Sequence, residues 1–188
     1  MKKLMLILAM IVLTGMAGFT QSFEKGNQGI NVGFGLGPGY HSSGYSFPFG
    51  VNGSYEYAIV EVQMGSNLTG VVGVGGMAGV SFSTWAHSNW TGGKYHNTDF
   101  IIAARGTYHF IFHDKFDPYA GITIGYHGSS QKWKGDGQDP PELSYSHGYF
   151  RPGFIVGARY FFTNNFGVYA ELGYMLNIIN LGVTIKID

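Results

Sequence analysis

Six ionisable residues stand singly inside apolar stretches of this sequence, and they are the first candidates for chemistry. They are Glu56, Arg105, Arg151, Arg159, Glu171 and Lys186. Carboxylates and guanidinium groups that share one enclosed space can bind a solute or gate a pore. The same groups can instead form ion pairs that satisfy one another and fill the space. Which of these applies depends on the elements that position the six side chains.

Composition excludes several other kinds of site. Cysteine is absent, which rules out disulfides, thiolate metal sites and thiol catalysis. The formal net charge is zero and no basic tract is present, so nucleic acid is not a predicted partner. The glycine-rich stretches 37–39 and 73–76 precede neither a helix nor a Lys-Ser/Thr pair, so they are not phosphate loops. No cofactor is therefore predicted.

The N-terminus has the pattern of an export signal. Lys2 and Lys3 precede an unbroken apolar run over 4–12, and small residues dilute the sequence over 13–18. A positive start, an apolar segment and small residues are the three parts of a secretory signal peptide. We expect residues 1–20 to be cleaved and 21–188 to form one domain.

The rest of the chain predicts strands. Glycine (31 of 188 residues) and aromatics (16%) are abundant while charged residues make up only 12%, which favours strands and turns over helices. Alternating apolar and polar residues predict strands over 29–41, 47–61, 68–85, 98–112, 117–130, 148–162, 166–176 and 179–187. Short links after the second, fourth and sixth strands alternate with long polar stretches at 86–97 and 130–147. This is the loop pattern of an outer-membrane barrel, with periplasmic turns and extracellular loops.

Alternation also separates two faces. In the stretch DFIIAARGTYHFIF (99–112), one face carries Arg105 and Thr107 and the other carries Ile102 and Tyr108. An interior of eight strands is only just wide enough for side chains, so it suits the polar, glycine-rich face better than the bulky apolar one. Large rings near the strand ends match the aromatic girdles of membrane barrels. We predict an all-β, eight-stranded antiparallel up-and-down transmembrane β-barrel; a soluble barrel with its faces reversed is the alternative.

Several segments carry a resemblance to a known family. The stretches GINVGFGLG (29–37), IIAARGTYHF (101–110), GARYFFTNNFGVYAELGY (157–174) and NLGVTIKI (180–187) resemble the small outer-membrane β-barrel proteins of OmpA/OmpX type. The resemblance implies a bacterial outer-membrane location, contact with membrane lipid and lipopolysaccharide, and insertion by the barrel-insertion machinery. In such a narrow lumen we expect the six ionisable residues to form a plug of ion pairs. A narrow porin-like pore for small solutes is the alternative.

Two further sets of residues raise chemical possibilities. His127-Gly128-Ser129 resembles the His-x-Ser of outer-membrane lipid A deacylases, and a base beside a hydroxyl is what hydrolysis needs. His127 has inward parity, however, whereas a lipid lies outside, so an enzyme is the remote alternative and we predict no catalytic residues. Five histidines on the predicted extracellular half, His41, His87, His96, His127 and His147, lack a metal-ligand spacing, so no metal site is predicted.

Aromatic residues on the long-loop side are the candidates for surface binding. They are Trp85, Trp90, Tyr95 and Trp133. We interpret the chain as a non-enzymatic structural or surface-interaction protein whose long loops bind an unidentified extracellular ligand. One register prediction is sharper: if Asn165 is the centre of the turn after the sixth strand, Arg159 lies opposite Glu171 on the inward face, within one two-residue step.

Overall fold

The computed structural model describes residues 23–37, 47–64, 68–85, 93–135 and 145–188. The predicted signal peptide and much of the long loops lie outside these residues. The described part forms eight strands, β1 (Gln28–Leu36), β2 (Phe49–Met64), β3 (Leu68–Trp85), β4 (Gly93–Phe110), β5 (Phe116–Gly135), β6 (Tyr145–Phe161), β7 (Phe166–Gly173) and β8 (Ile179–Ile187).

The strands close into a single antiparallel barrel in chain order. Each pairs with its sequence neighbour, and β1 pairs with β8 to close the ring. The up-and-down barrel predicted from the alternation is thereby confirmed. In the described ranges, no helix is long and apolar enough to span a membrane.

The two faces divide as the alternation predicts. Along β7 every second side chain is buried, and the intervening ones are exposed. On β4, Arg105 is 4% exposed, whereas the outward Ile102 is 65% exposed. The barrel therefore has its charges inside and its large apolar side chains outside, the reverse of a soluble protein.

Strand lengths are unequal, which corrects several predicted boundaries. The predicted loops 86–97 and 130–147 contain residues that continue the ladders of β4, β5 and β6, such as Tyr95 opposite Trp133. Conversely, β1 ends at Leu36 rather than at 41, and Gly37 follows with φ of 82°. Polar residues on both sides of these ladders resemble loop sequence, which is why alternation alone missed them.

The long strands therefore extend past their neighbours as a four-stranded projection. It consists of 82–85 of β3, 93–98 of β4, 130–135 of β5 and 145–146 of β6, which we call the upper sheet. Because β7 pairs with β6 only over 155–161, residues 145–150 of β6 have no β7 partner. The upper sheet thus stands above the closed part of the barrel.

Aromatic rings form two bands on the outer face. The upper band includes Phe100, Tyr126 and Phe150, whose neighbouring ring centroids lie 6.0 and 5.6 Å apart. The lower band includes Phe110 and Phe162. Phe100 and Phe110 are ten residues apart on β4. At about 3.3 Å per residue and a tilt of about 40°, this is a height of about 25 Å, the apolar thickness of an outer-membrane barrel.

Candidate functional site

The lower half of the lumen is filled by ionisable side chains from five strands. Glu56 comes from β2, Arg105 and His109 from β4, Asp117 from β5, Arg159 from β6 and Glu171 from β7. We call these six residues the ion cluster. Each is 4% exposed or less, because the alternation of each strand turns it inward.

Arg159 is the centre of the ion cluster. Its Nη2 lies 2.5 Å from Glu56 Oε2, and its Nη1 lies 3.2 Å from Asp117 Oδ2. The guanidinium group also lies over two aromatic rings, with Cζ 5.0 Å from the centroids of both Phe23 and Tyr119. One cation thus joins two carboxylates and two aromatic rings, which satisfies a charge that has no exposed surface.

His109 bridges the same two carboxylates from β4. Its Nε2 lies 2.6 Å from Glu56 Oε1, and its Nδ1 lies 2.7 Å from Asp117 Oδ1. Ionised carboxylates only accept hydrogen bonds, so this geometry needs a proton on both ring nitrogens. With His109 protonated, the ion cluster holds three cations and three anions.

Arg105 and Glu171 form the other half of the ion cluster. Arg105 Nη2 lies 3.0 Å from Glu171 Oε2, and the Tyr119 hydroxyl donates to the same oxygen at 2.9 Å. Arg105 Nη2 is also 4.0 Å from Glu56 Oε2. This second contact links the two halves into one network.

Inward glycines make room for these long side chains. A Cβ on Gly73 would lie 2.3 Å from Glu56 Oε1, and a Cβ on Gly157 would lie 2.6 Å from the Tyr119 ring. Both distances are far below van der Waals contact, so a larger residue at Gly73 would displace Glu56 and one at Gly157 would displace Tyr119. The glycine-rich inward face of the sequence is therefore the complement of its few long residues.

Two of the six predicted residues face inward but lie outside the ion cluster. Arg151 donates through Nη2 to the Tyr174 carbonyl and lies above the Tyr174 ring. Lys186 Nζ is 3.6 Å from Asp188 Oδ1, a largely exposed carboxylate. The structure thus brings together Glu56, Arg105, Arg159 and Glu171. The sequence interpretation omitted His109, Asp117 and Tyr119, although their inward parity on β4 and β5 could have identified them.

The predicted register around the turn after β6, with Arg159 opposite Glu171, is correct to within one two-residue step. Arg159 is directly opposite Tyr169, and Glu171 is opposite Gly157. Arg159 and Glu171 share the inward face, two residues out of direct opposition. Arg159 pairs instead with Asp117, its direct cross-strand partner on β5, and with Glu56, which reaches it from β2 across the lumen.

A second, apolar layer lies above the ion cluster. Met77, Ile101 and Ala103 point into the lumen from β3 and β4, and Met175 and Leu176 enter it from the β7–β8 connection. The sequence interpretation placed 174–176 in a strand, which would turn Leu176 toward lipid. That placement is wrong: β7 ends at Gly173 and Leu176 is 6% exposed. These apolar residues are buried inside the lumen, which a strand pattern does not reveal.

Asn177 anchors this connection inside the barrel. Its Nδ2 donates to the Gly37 carbonyl at 3.0 Å and to Ser81 Oγ at 3.1 Å. A Cβ on Gly35 would lie 2.3 Å from Asn177 Oδ1. The lumen wall is thus shaped to receive the β7–β8 connection.

The residues considered for hydrolysis also lie in the upper lumen. His127 is 2% exposed, and its Nε2 lies 3.8 Å from Asp99 Oδ1. The Ser129 hydroxyl donates to Asn97 Oδ1 at 3.1 Å. All four side chains point away from the lipid-facing surface. Over the described residues, no group of three or more His, Cys, Asp or Glu is placed to hold a metal ion; His41 and His87 lie outside them.

The predicted surface aromatics belong to strands rather than loops. Tyr95 and Trp133 are direct cross-strand partners on the inner side of the upper sheet, with ring centroids 4.8 Å apart. Trp85 is the last residue of β3, opposite Tyr95. Trp90 lies outside the described residues. The loop assignment of Tyr95 and Trp133 is corrected because β4 and β5 continue above the barrel rim.

Charged groups inside, an apolar exterior and two aromatic bands define an integral membrane β-barrel. The chain belongs to the outer membrane protein beta-barrel domain family, whose model matches residues 6–185. It is accordingly a protein of the bacterial outer membrane. No curated protein sequence matches the chain.

Solved structures with a similar architecture share little sequence with this chain. The N-terminal β-barrel domain of Pseudomonas aeruginosa OprF has 14% identity and a TM-score of 0.51, covering 87% of this chain and 98% of that one. Ail, the attachment invasion locus protein of Yersinia pestis, has 16% identity and a TM-score of 0.49, covering 87% and 96%. The structure of Ail in complex with the heparin analogue sucrose octasulfate has 15% identity and a TM-score of 0.48, with the same coverage.

Proposed function

We propose that this chain is a closed outer-membrane barrel with a non-enzymatic, structural and surface-interaction role. The observation that carries the proposal is the fully buried Arg159, paired with Glu56 across the lumen and with Asp117 on the neighbouring strand β5. Buried, mutually satisfied charges are costly to separate. Such a network therefore acts as a plug rather than as a mobile gate.

The apolar layer supports the same role. It lies above the ion cluster, and Asn177 ties its β7–β8 half to Gly37 and Ser81. A solute would have to displace both layers in order to cross. The narrow-pore alternative requires both to move together.

The upper sheet supplies the surface-interaction part of the proposal. We orient the barrel with its short turns in the periplasm, so the upper sheet extends from the cell surface. Its inner side presents the paired rings of Tyr95 and Trp133, and aromatic side chains beside polar groups are common in binding surfaces. An extracellular ligand is the partner that such a surface fits.

Planar-bilayer recording tests the closed lumen. Protease protection first shows that the barrel is inserted in the vesicles. After these vesicles fuse with the planar bilayer, we expect no stepwise conductance. Steady conductance from the same vesicles would instead favour the pore. Unchanged solute uptake in a deletion strain is the matching expectation in cells.

Mass spectrometry of lipid A tests the non-enzymatic part. Cells that overproduce the chain should have the same lipid A mass profile as cells producing Ser129→Ala. A loss of acyl chains that depends on Ser129 would support the remote hydrolase alternative.

A further inference from the structure

A cluster of basic side chains occupies the outer side of the upper sheet. Lys94 and His96 on β4 and Lys132 and Lys134 on β5 are all exposed and share the outward parity of the lipid-facing residues. We call these four residues the basic patch. It lies on the side opposite Tyr95 and Trp133, so it is separate from the proposed binding face.

The register of the basic patch places two lysines directly opposite each other. Lys94 is the direct cross-strand partner of Lys134, and His96 is the direct partner of Lys132. Among the described residues, none of the three lysines takes part in an ion pair. Like charges directly opposite in an antiparallel pair destabilise it. An anion bound between the strands would offset this repulsion.

The height of the basic patch above the upper aromatic band indicates the kind of anion that it binds. Lys94 is six residues above Phe100, and Lys132 is six residues above Tyr126, both members of the upper aromatic band. At about 3.3 Å per residue and a tilt of about 40°, the lysine backbones lie about 15 Å above the band. Flexible lysine stems allow the ammonium groups to reach back toward the membrane surface. The outward residues between the upper aromatic band and the basic patch, Thr98 and Ser130, are uncharged.

We propose that the basic patch binds the phosphate groups of a phosphorylated glycolipid in the outer leaflet. The ammonium groups of Lys94, Lys132 and Lys134 would contact the phosphates, while the upper aromatic band contacts the start of the acyl chains. This role adds a lipid partner to the proposed surface function. It rests on the proposed orientation, in which the upper sheet extends from the cell surface. A membrane lipid is the expected partner because the basic patch lies on the same outward face as the lipid-facing residues, not on the inner side of the upper sheet.

Native mass spectrometry in dodecyl maltoside micelles tests this assignment, with diphosphoryl lipid A as the probe. Removing two lysines in Lys94→Gln/Lys134→Gln should weaken lipid A binding about thirtyfold, at about 1 kcal/mol for each basic residue near an anionic membrane surface. The control Lys25→Gln/Lys115→Gln removes the same charge from the opposite end of the barrel and should change binding less than twofold. Thermal melting shows that each variant is folded; the patch variant should melt no lower than the wild type, because repulsion is relieved.

The lipid itself provides the second control. Dephosphorylated lipid A should bind the wild type as weakly as diphosphoryl lipid A binds the patch variant. Equal binding of both lipids to the wild type, or equal losses in the two double variants, would overturn the assignment. Inorganic pyrophosphate that bound lipid-free protein as tightly as lipid A would replace the membrane lipid with a soluble anion. A conducting lumen would overturn the closed-barrel function without altering any of these readouts.

Discussion

Arg159 and Glu56 meet across the lumen, with Nη2 of the arginine 2.5 Å from Oε2 of the glutamate and neither side chain exposed. The two residues are 103 positions apart and come from β6 and β2, which are not neighbours in the ring. Hydrogen bonds between adjacent strands already hold the barrel wall. This ion pair adds a connection through the lumen between two strands that are not adjacent, so the strand ladders and the inward side chains stabilise each other.

Replacing Arg159 with Met should lower the free energy of unfolding by about 3–5 kcal/mol, because it leaves the ion cluster with three buried anions and two cations. Lys186→Met is the matched control. It also removes an inward cation, but one whose partner Asp188 is largely exposed, and it should cost about 1 kcal/mol or less. Urea unfolding in phospholipid vesicles, followed by tryptophan fluorescence, measures both. Equal losses would mean that Arg159 is not the energetic centre of the ion cluster.

The double variant Arg159→Met/Glu56→Gln checks the origin of that loss. Neutralising both partners removes the unpaired charge, so the double variant should be destabilised by less than the sum of the two single variants. Additive losses would instead indicate that each side chain acts through packing alone.

The inward position of Arg159 and Glu171 could be predicted from the sequence, whereas their partners could not. Parity depends only on alternation along one strand, which is a local property. Partners across the lumen depend on the register of every strand between them, and one two-residue step at the β6–β7 turn places Tyr169 opposite Arg159. His109 has the same parity as Arg105, but nothing local to β4 indicates that it meets Asp117.

Met175 and Leu176 show a different limit of the sequence. Their apolar side chains suit a lipid-facing strand as well as a lumen plug, so composition cannot distinguish the two. Their position in the lumen depends on the space left by three glycines on other strands. An added Cβ would lie 2.9 Å or less from Asn177 at Gly35, from Leu176 at Gly79 and from Met175 at Gly153. That complementarity exists only once the barrel is closed.

Gly35→Ala tests the fit of the β7–β8 connection. The new methyl group would lie 2.3 Å from Asn177 Oδ1 and 2.8 Å from Asn177 Cβ, so the connection must shift, at about 1–3 kcal/mol for overpacking. Gly106→Ala is the control, because a Cβ there has no atom within 4 Å, and it should leave the stability unchanged or raise it slightly. Thermal melting in detergent measures both. Faster protease cleavage within 174–178 in Gly35→Ala alone would locate the change.

Ile102→Arg tests the lipid-facing side of β4. Ile102 is 65% exposed and lies between the two aromatic bands, about 5 Å below the upper one. A lipid-facing arginine costs about 2–4 kcal/mol at the bilayer midplane and about 0–1 kcal/mol at the interface, so we expect a cost between these limits. Thr98→Arg, on the same strand and the same face but above the upper band, should cost about 1 kcal/mol or less. Equilibrium unfolding in vesicles gives the comparison. A smaller loss for Ile102→Arg than for Thr98→Arg would contradict the assigned membrane level.

Cysteine labelling tests the orientation on which the surface role depends. The chain has no cysteine, so a single introduced thiol is the only site for a maleimide. Ser146→Cys places the thiol at an exposed outward position of the upper sheet, and Asn164→Cys places it in the exposed turn between β6 and β7. In intact cells, a membrane-impermeant maleimide should label Ser146→Cys and not Asn164→Cys, because the proposed orientation places the short turns in the periplasm. After the outer membrane is permeabilised, both should label to the same extent, which controls for exposure of the thiol. The reverse pattern in intact cells would place the upper sheet in the periplasm, where neither an extracellular ligand nor an outer-leaflet phosphate could reach it.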